Sequence, residues 1–295
     1  MPNLKEVRNR IVSVNSTSQI TKAMKMVSAA KLRRAQDRAV KIRPYAEKLN
    51  GILQNISASL EDGADNMYAE ERALKRVLVV VVTSDRGLAG AFNSNIIKTT
   101  TALVSNKYSE LAEAGMVDYL CIGKKGGEAF SKRGGNVNLD YQGLFLELSF
   151  DTARVASEYV MTSFIEGKYD RVEVLYNEFK NVATQIIRTE QFLPVNNQKV
   201  ETAKQIQSET DFIFEPSKVE IVKELIPKLL KVQFYKYLLE SNASEHGARM
   251  TAMEKATENA KEMLKALKLT YNRSRQAAIT KEILEIVGGA EALNN

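Results

Sequence analysis

Residues 4–35 read LKEVRNRIVSVNSTSQITKAMKMVSAAKLRRA, an unbroken stretch without glycine or proline. Leu4, Val7, Ile11 and Val14 step by 3, 4 and 3, the spacing of a two-helix seam. The next seam positions, Ser18, Thr21, Lys25 and Ser28, are polar. The apolar seam resumes at Leu32, Ala35, Ala39, Ile42, Ala46, Leu49, Leu53, Ile56 and Leu60. Across the polar interval, Ile20, Met24 and Val27 are expected to carry the apolar face in a shifted frame. Residues 3–58 contain only Pro44 and Gly51 as helix breakers. A single helix of roughly 80–90 Å is therefore expected, at about 1.5 Å per residue. Asn3 followed by Glu6 supplies a capping signal, and Pro44 is expected to kink the helix by removing one donor.

The other end of the chain answers this helix. Residues 228–287 contain only Gly247 as a breaker. A capping box at Ser217 and Glu220 opens the segment, and Pro227 suits a first turn, so the straight portion is expected to begin there. Ala252, Ala256, Ala260, Met263, Leu267, Tyr271, Ser274 and Ala278 follow steps of 3 and 4. Alanines on that stripe allow close backbone approach to the first helix. Gly288 and Gly289 are expected to end the helix.

Between the rods the pattern changes to alternating strands and helices. Strands are expected at Arg76–Thr83, Val117–Ile122, Arg171–Glu178 and Thr184–Leu193. Helices are expected near Phe92–Ala114 and Asp151–Glu166, with short helical turns at Lys124–Lys132. Residues 196–210 read as a polar loop before a short strand at Asp211–Phe214. This order predicts an open, Rossmann-like α/β sheet. The fold class is thus α/β plus a long antiparallel coiled coil. The expected division is a shaft of residues 1–60 and 217–295 around a central domain of residues 61–216.

Composition narrows the function. The longest aliphatic run, Val77–Val82, is far shorter than the ~20 residues of a membrane helix. The polar N-terminus is no secretory signal, and the single Cys121 excludes an intramolecular disulfide framework. These features lead to the expectation of a cytoplasmic location. Net charge is +6, but residues 1–58 alone carry 12 Lys/Arg against 3 Asp/Glu. An acidic partner surface is the physical counterpart of that excess.

Candidate sites are few. The strand-to-helix turn Thr83–Gly90 lies where open α/β sheets bind ligands. Its Gly87 and Gly90 match neither a Walker loop nor a dinucleotide fingerprint, so it reads as a tight turn exposing Asp85 and Arg86. His246 is the only histidine and sits mid-rod, far in sequence from Cys121, so neither a metal site nor a catalytic triad is expected. No catalytic, cofactor-binding or metal-binding residues are assigned, and the chain reads as non-catalytic by itself. The basic cluster from Thr21 to Ser28, with Lys31, Arg33 and Arg34, lacks the aromatic residues that stack nucleic-acid bases. Interleaved Lys and Met suit a protein surface mixing carboxylates with apolar contacts. The alternative is an RNA-binding protein with a basic coiled-coil arm, and salt-sensitive RNA binding would be its signature.

Several stretches together carry a family resemblance. Residues 19–31 (QITKAMKMVSAAK), 83–88 (TSDRGL), 243–254 (ASEHGARMTAME) and 271–280 (YNRSRQAAIT) resemble the gamma subunit of F-type ATP synthases. So does the terminal series Ile279, Thr280, Glu282, Glu285, Gly289, Ala290 and Ala292. The resemblance spans essentially the whole chain. It implies a central-stalk rotor that couples proton or sodium flow to ATP synthesis or hydrolysis by turning inside the alpha/beta catalytic hexamer. It further implies contacts with the epsilon subunit and the membrane c-ring, and no cofactor. Lys22, Met24, Lys25 and Arg86 would then face acidic lever segments of beta subunits. Arg249, Arg275, Gln276, Thr280 and Glu282 would supply contacts from the second helix. Lower contacts would include the Phe212–Glu215 region, and the apolar tip near Ile283–Leu293 would turn in an apolar bearing. Some relatives have glutamate at the position of Lys25 and cysteine at that of Ala89. With one cysteine and no transit peptide, the resemblance is to the bacterial form, peripheral at the cytoplasmic face of the inner membrane.

Overall fold

The computed structural model describes residues 4–58, 67–182, 184–195 and 218–294. The expected strand at Asp211–Phe214, the preceding loop, and the capping residues Asn3 and Ser217 lie outside them. The chain divides into two compact units, Met1–Ala29 with Arg249–Asn295, and Ala30–Ala248.

The larger unit is organised around its most apolar strand. β1 (Val77–Val82) is buried at every position. It pairs in parallel with β2 (Val117–Ile122) on one side and β4 (Arg171–Phe179) on the other. β3 (Asn136–Asn138) adds to β2 in parallel, and β5 (Gln185–Leu193) closes the other edge antiparallel to β4. The order β3-β2-β1-β4-β5 is an open α/β sheet as the sequence indicates. A strand buried on both faces needs cover on both, which explains the valine run. Val77, Val79 and Val81 pack with Ile96 and Val104 of α2 (Phe92–Lys107) and with Phe130 of α4 (Lys124–Ser131). Leu78, Val80 and Val82 face α5 (Phe150–Ile165) and residues Ile226, Leu230, Phe234 and Leu238 of the C-terminal helix. The C-terminal helix therefore contributes a layer of the α/β core here.

One local expectation is corrected and one strand is added. The helix expected over Phe92–Ala114 is broken at Tyr108, where φ is −132°. Tyr108 is buried and its hydroxyl donates to Glu173 at 2.6 Å, a tertiary anchor that draws the residue out of helical geometry. A separate short helix, α3, follows at Ser109–Glu113. β3 went unanticipated, being three residues long with two asparagines. Asn136 steadies it by donating to Asp118 at 2.7 Å.

The terminal helices are continuous in secondary structure. α1 runs Leu4–Ala58 with Pro44 inside it, and α6 runs Lys218–Asn294 with Pro227 inside it. Thus α6 begins nine residues before Pro227, and Gly288–Gly289 do not end it. Two adjacent glycines weaken a helix by about 1 kcal/mol each, too little to stop it without a competing cap. The two helices pair antiparallel. In the larger unit Arg43 of α1 donates from Nε (2.9 Å) and Nη2 (2.7 Å) to Glu240 of α6, whose other oxygen accepts from the Phe179 amide at 3.2 Å. Glu240 is only 2% exposed, so this ion pair fastens α1, α6 and β4 at one buried point. Beside it, Tyr176 and Tyr237 both donate to Glu190 at 2.7 Å. Burial, and then the Glu190 charge, pushes both phenols up, so they remain donors.

Candidate functional site

In the smaller unit the seam of α1 does not shift frame. Val7, Thr21 and Ser28 are buried, with Leu4, Ile11, Val14, Ser18 and Lys25 half-buried between them. The heptad step thus continues through the polar interval, while Ile20 and Val27 lie outside, 59% and 57% exposed. Two of the polar seam residues, Thr21 and Lys25, meet polar partners across the coil. The Thr257 hydroxyl donates to Thr21 at 2.7 Å, and Lys25 forms an ion pair with Glu254. A hydroxyl with a partner is tolerated in a seam, so periodicity prevails over polarity. Met24 stays half-buried beside the seam.

On α6 the inward stripe is Met253, Thr257, Ala260, Leu264, Leu267, Tyr271 and Ser274. Ala252 and Ala256 flank it half-buried, and Met263, expected inside, is 47% exposed. The stripe fades for a geometric reason. Counting outward from Thr21–Thr257 and Lys25–Glu254, Leu4 falls beside Ser274. Residues 275–294 therefore extend past the start of α1, about 30 Å of helix at 1.5 Å per residue. Ile279, Ile283, Leu284, Ile286 and Val287 on that extension are all about half exposed or more.

The residues singled out from the sequence separate into groups. Lys22, Arg275, Gln276, Thr280 and Glu282 are exposed on the coil and its extension, and the Thr280 hydroxyl donates to the Gln276 carbonyl at 2.9 Å. Arg249 is buried, only 8% exposed. Lys25 is half-buried and engaged with Glu254. Arg86 is exposed in the larger unit, and the Phe212–Glu215 region lies outside the described residues. Val12, Ile20, Met26 and Val27 are all 57–60% exposed on the face of α1 opposite the seam. Met26 lies in the Lys/Met cluster expected to form a partner surface, Ile20 and Val27 are expected from the sequence to continue the seam, and Val12 carries no expectation. Their periodicity held the signal: 20 and 27 are seven apart but out of phase with the seam.

The β1–α2 turn is rigidly built. Asn93 accepts from the Ser84 amide at 2.9 Å, Thr83 Oγ1 accepts from the Gly126 amide at 2.8 Å, and Asp85 accepts from the Lys124 amide at 3.1 Å. Leu88 holds a left-handed φ of 64° with its side chain 65% exposed. An aliphatic residue in that region is uncommon and marks a conformation imposed by its surroundings. No cluster of three or more His, Cys, Asp or Glu able to hold a metal occurs among the described residues. Cys121 lies fully buried in the sheet, and burial pushes its thiol up to about 12. The native chain is accordingly expected to resist alkylation at pH 8, reacting at rates near those of a free thiol only after unfolding. Rapid labelling of the folded chain by mass spectrometry would contradict this burial.

A two-helix coil with an outward apolar face and a single-helix extension, in a chain that also folds an open α/β sheet, defines a class of coiled-coil and α/β proteins. A family described as ATP synthase matches residues 3–293. The ATP synthase gamma chain of Cytophaga hutchinsonii is 81% identical over 295 residues, covering 100% of both chains. That of Christiangramia forsetii is 54% identical over 294 residues, again covering 100% of both. This chain belongs to the gamma-chain family of F-type ATP synthases. Among solved structures, the central stalk/c-ring of the Tetrahymena thermophila mitochondrial ATP synthase contains a chain 27% identical, with TM-score 0.56, covering 80% of this chain and 99% of that one. A chain of the Euglena gracilis mitochondrial ATP synthase, 22% identical, shares the fold with TM-score 0.66 over 98% of this chain and 94% of its own.

Proposed function

We propose that this chain is the central-stalk rotor subunit of an F-type ATP synthase, coupling proton or sodium flow to ATP synthesis or hydrolysis by rotation. The observation that carries the reading is 81% identity to a gamma chain over the full length of both. The chain itself makes and breaks no bonds in this reading; catalysis belongs to the alpha/beta hexamer. The shaft comprises residues 1–60 and 217–295, with the domain of residues 61–216 toward the epsilon subunit and the c-ring. No described helix is long and apolar enough to cross a membrane, which fits peripheral attachment at the cytoplasmic face of the bacterial inner membrane. Nothing in the fold or the family match supports the RNA-binding alternative.

The physical chemistry suits a turning part. Each charge crossing ~100 mV delivers ~2.3 kcal/mol, so a few ions supply on the order of 10 kcal/mol through the shaft. Apolar contacts at Val12, Ile20, Met26 and Val27 let a surface slide past a partner without breaking directional bonds at each step. In this reading Lys22, Arg275, Gln276, Thr280 and Glu282 supply polar contacts on the coil and its extension, Met24 adds an apolar one, and Arg86 supplies a polar contact from the larger unit. Rotation is tested by assembling the chain with alpha and beta subunits and following a bead fixed to the larger unit. ATP-driven, unidirectional turning is expected; ATPase activity with a stationary bead would sink the reading.

The outer face gives a sharper check. Ile20→Asp removes no internal packing, so its melting temperature is expected to stay within a few degrees of the parent, as surface changes usually lie within about 0.5 kcal/mol. Affinity for the hexamer is expected to fall by about tenfold, the effect of losing one contact worth about 1.4 kcal/mol. Unchanged affinity in a binding titration would remove Ile20 from the contact surface.

A further inference from the structure

The polar interval of the coil is more specific than its burial requires. A seam of leucines would hold the helices together more strongly, but would tolerate slippage by a heptad. Here Thr21 meets Thr257 and, about one turn along, Lys25 meets Glu254. Sliding α1 by seven residues toward the end of α6 would set Lys25 beside Lys261 and Thr21 beside Leu264. Sliding it the other way would set Thr21 beside Met250. Only the observed register pairs both groups; the alternatives oppose like charges or leave a hydroxyl against an aliphatic surface.

We propose that Thr21, Lys25, Glu254 and Thr257 form a register lock, and that Lys25 is a positioning residue facing its own chain rather than a contact with the beta subunits. Its consequence for coupling rests on the rotor reading above; the register itself does not. A shaft whose helices slide past each other dissipates the work put into it. The lock holds the outer contact residues of α1 at fixed heights against those of α6.

Charge reversal tests the lock in the full chain. Glu at position 25 repels Glu254 in the observed register and attracts Lys261 in the slipped one. Paired cysteines report each state: Val14→Cys with Leu264→Cys for the observed register, and Val14→Cys with Tyr271→Cys for the slip. Lys25→Glu is expected to raise the yield of the slipped disulfide about fivefold, the size of a 1 kcal/mol change. Lys25→Glu with Glu254→Lys is expected to return it to the parent value. In the reconstituted complex, ions pumped per ATP hydrolysed are expected to fall several-fold in either single reversal and to recover in the double. A slipped yield unmoved by Lys25→Glu overturns the lock. Coupling unchanged in the single reversals overturns its link to function. Coupling lost as deeply in the double as in the single returns Lys25 to the role of a partner contact. Failure of the unaltered chain to turn would strike the rotor reading, and would leave the disulfide result standing.

Discussion

Replacing Gly123 with alanine is expected to destabilise the larger unit by on the order of 4 kcal/mol, placing it among the rare severe substitutions. Gly123 follows β2 and holds a φ of 94°. A Cβ there would lie 2.2 Å from the Thr83 carbonyl oxygen and 2.6 Å from its carbon. Both neighbours are backbone at the end of β1, so no side chain can swing away. With ψ at 140°, this positive-φ backbone is nearly confined to glycine and alone adds about 1–3 kcal/mol for any residue with a Cβ. Relief requires parting β1 from β2, which breaks the Thr83 amide's bond to Ile122 at 2.7 Å. Denaturant titration measures the loss; a change under about 1 kcal/mol would mean that the β1–α2 turn yields more easily than its bonds imply.

The second large effect is expected at the buried ion pair. Arg43→Met leaves the Glu240 carboxylate, 2% exposed, without its cation. Removing one partner of a buried pair typically costs about 3–5 kcal/mol. The lower end applies here, because the Arg43 side chain is 40% exposed and water can approach the vacated place. Arg43→Met combined with Glu240→Gln is expected to recover a large part of the loss, since a neutral amide needs no counter-charge and its oxygen still accepts from the Phe179 amide. A double variant no more stable than the single would show that the guanidinium acts by packing against its neighbours instead.

The sequence makes the fold legible wherever one pattern dominates. β1 is legible because five valines and a leucine leave little alternative to a strand buried on both faces. The pairing of the ends is legible from steps of 3 and 4. The polar interval at Ser18–Ser28 misleads because polarity is visible in a sequence and partners are not. Thr21 and Lys25 look like a break until Thr257 and Glu254 stand opposite them. Tyr108 cannot be foreseen as a helix break, since its anchor Glu173 lies 65 residues away. β3 has no pattern to read in three residues. At the candidate surface, Lys22, Gln276 and Glu282 are legible as exposed polar positions. The burial of Arg249 is not, because an arginine in an amphipathic helix ordinarily faces water. Ile20 and Val27 are the reverse case: aliphatic residues that a seam would welcome, turned outward by their phase.

The last 20 residues of α6 run on past the end of their partner helix, and their side chains are almost all exposed wherever burial is described. Little of the folding free energy of the isolated chain depends on what those side chains are. Substitutions at Ile279, Ile283 or Ile286 would pass a stability screen unnoticed. Pressure on them arises only when something surrounds the tip. Stability thus acts on one stretch of the helix and not on another: the first half is constrained by the protein it folds into, and the end is free of that constraint.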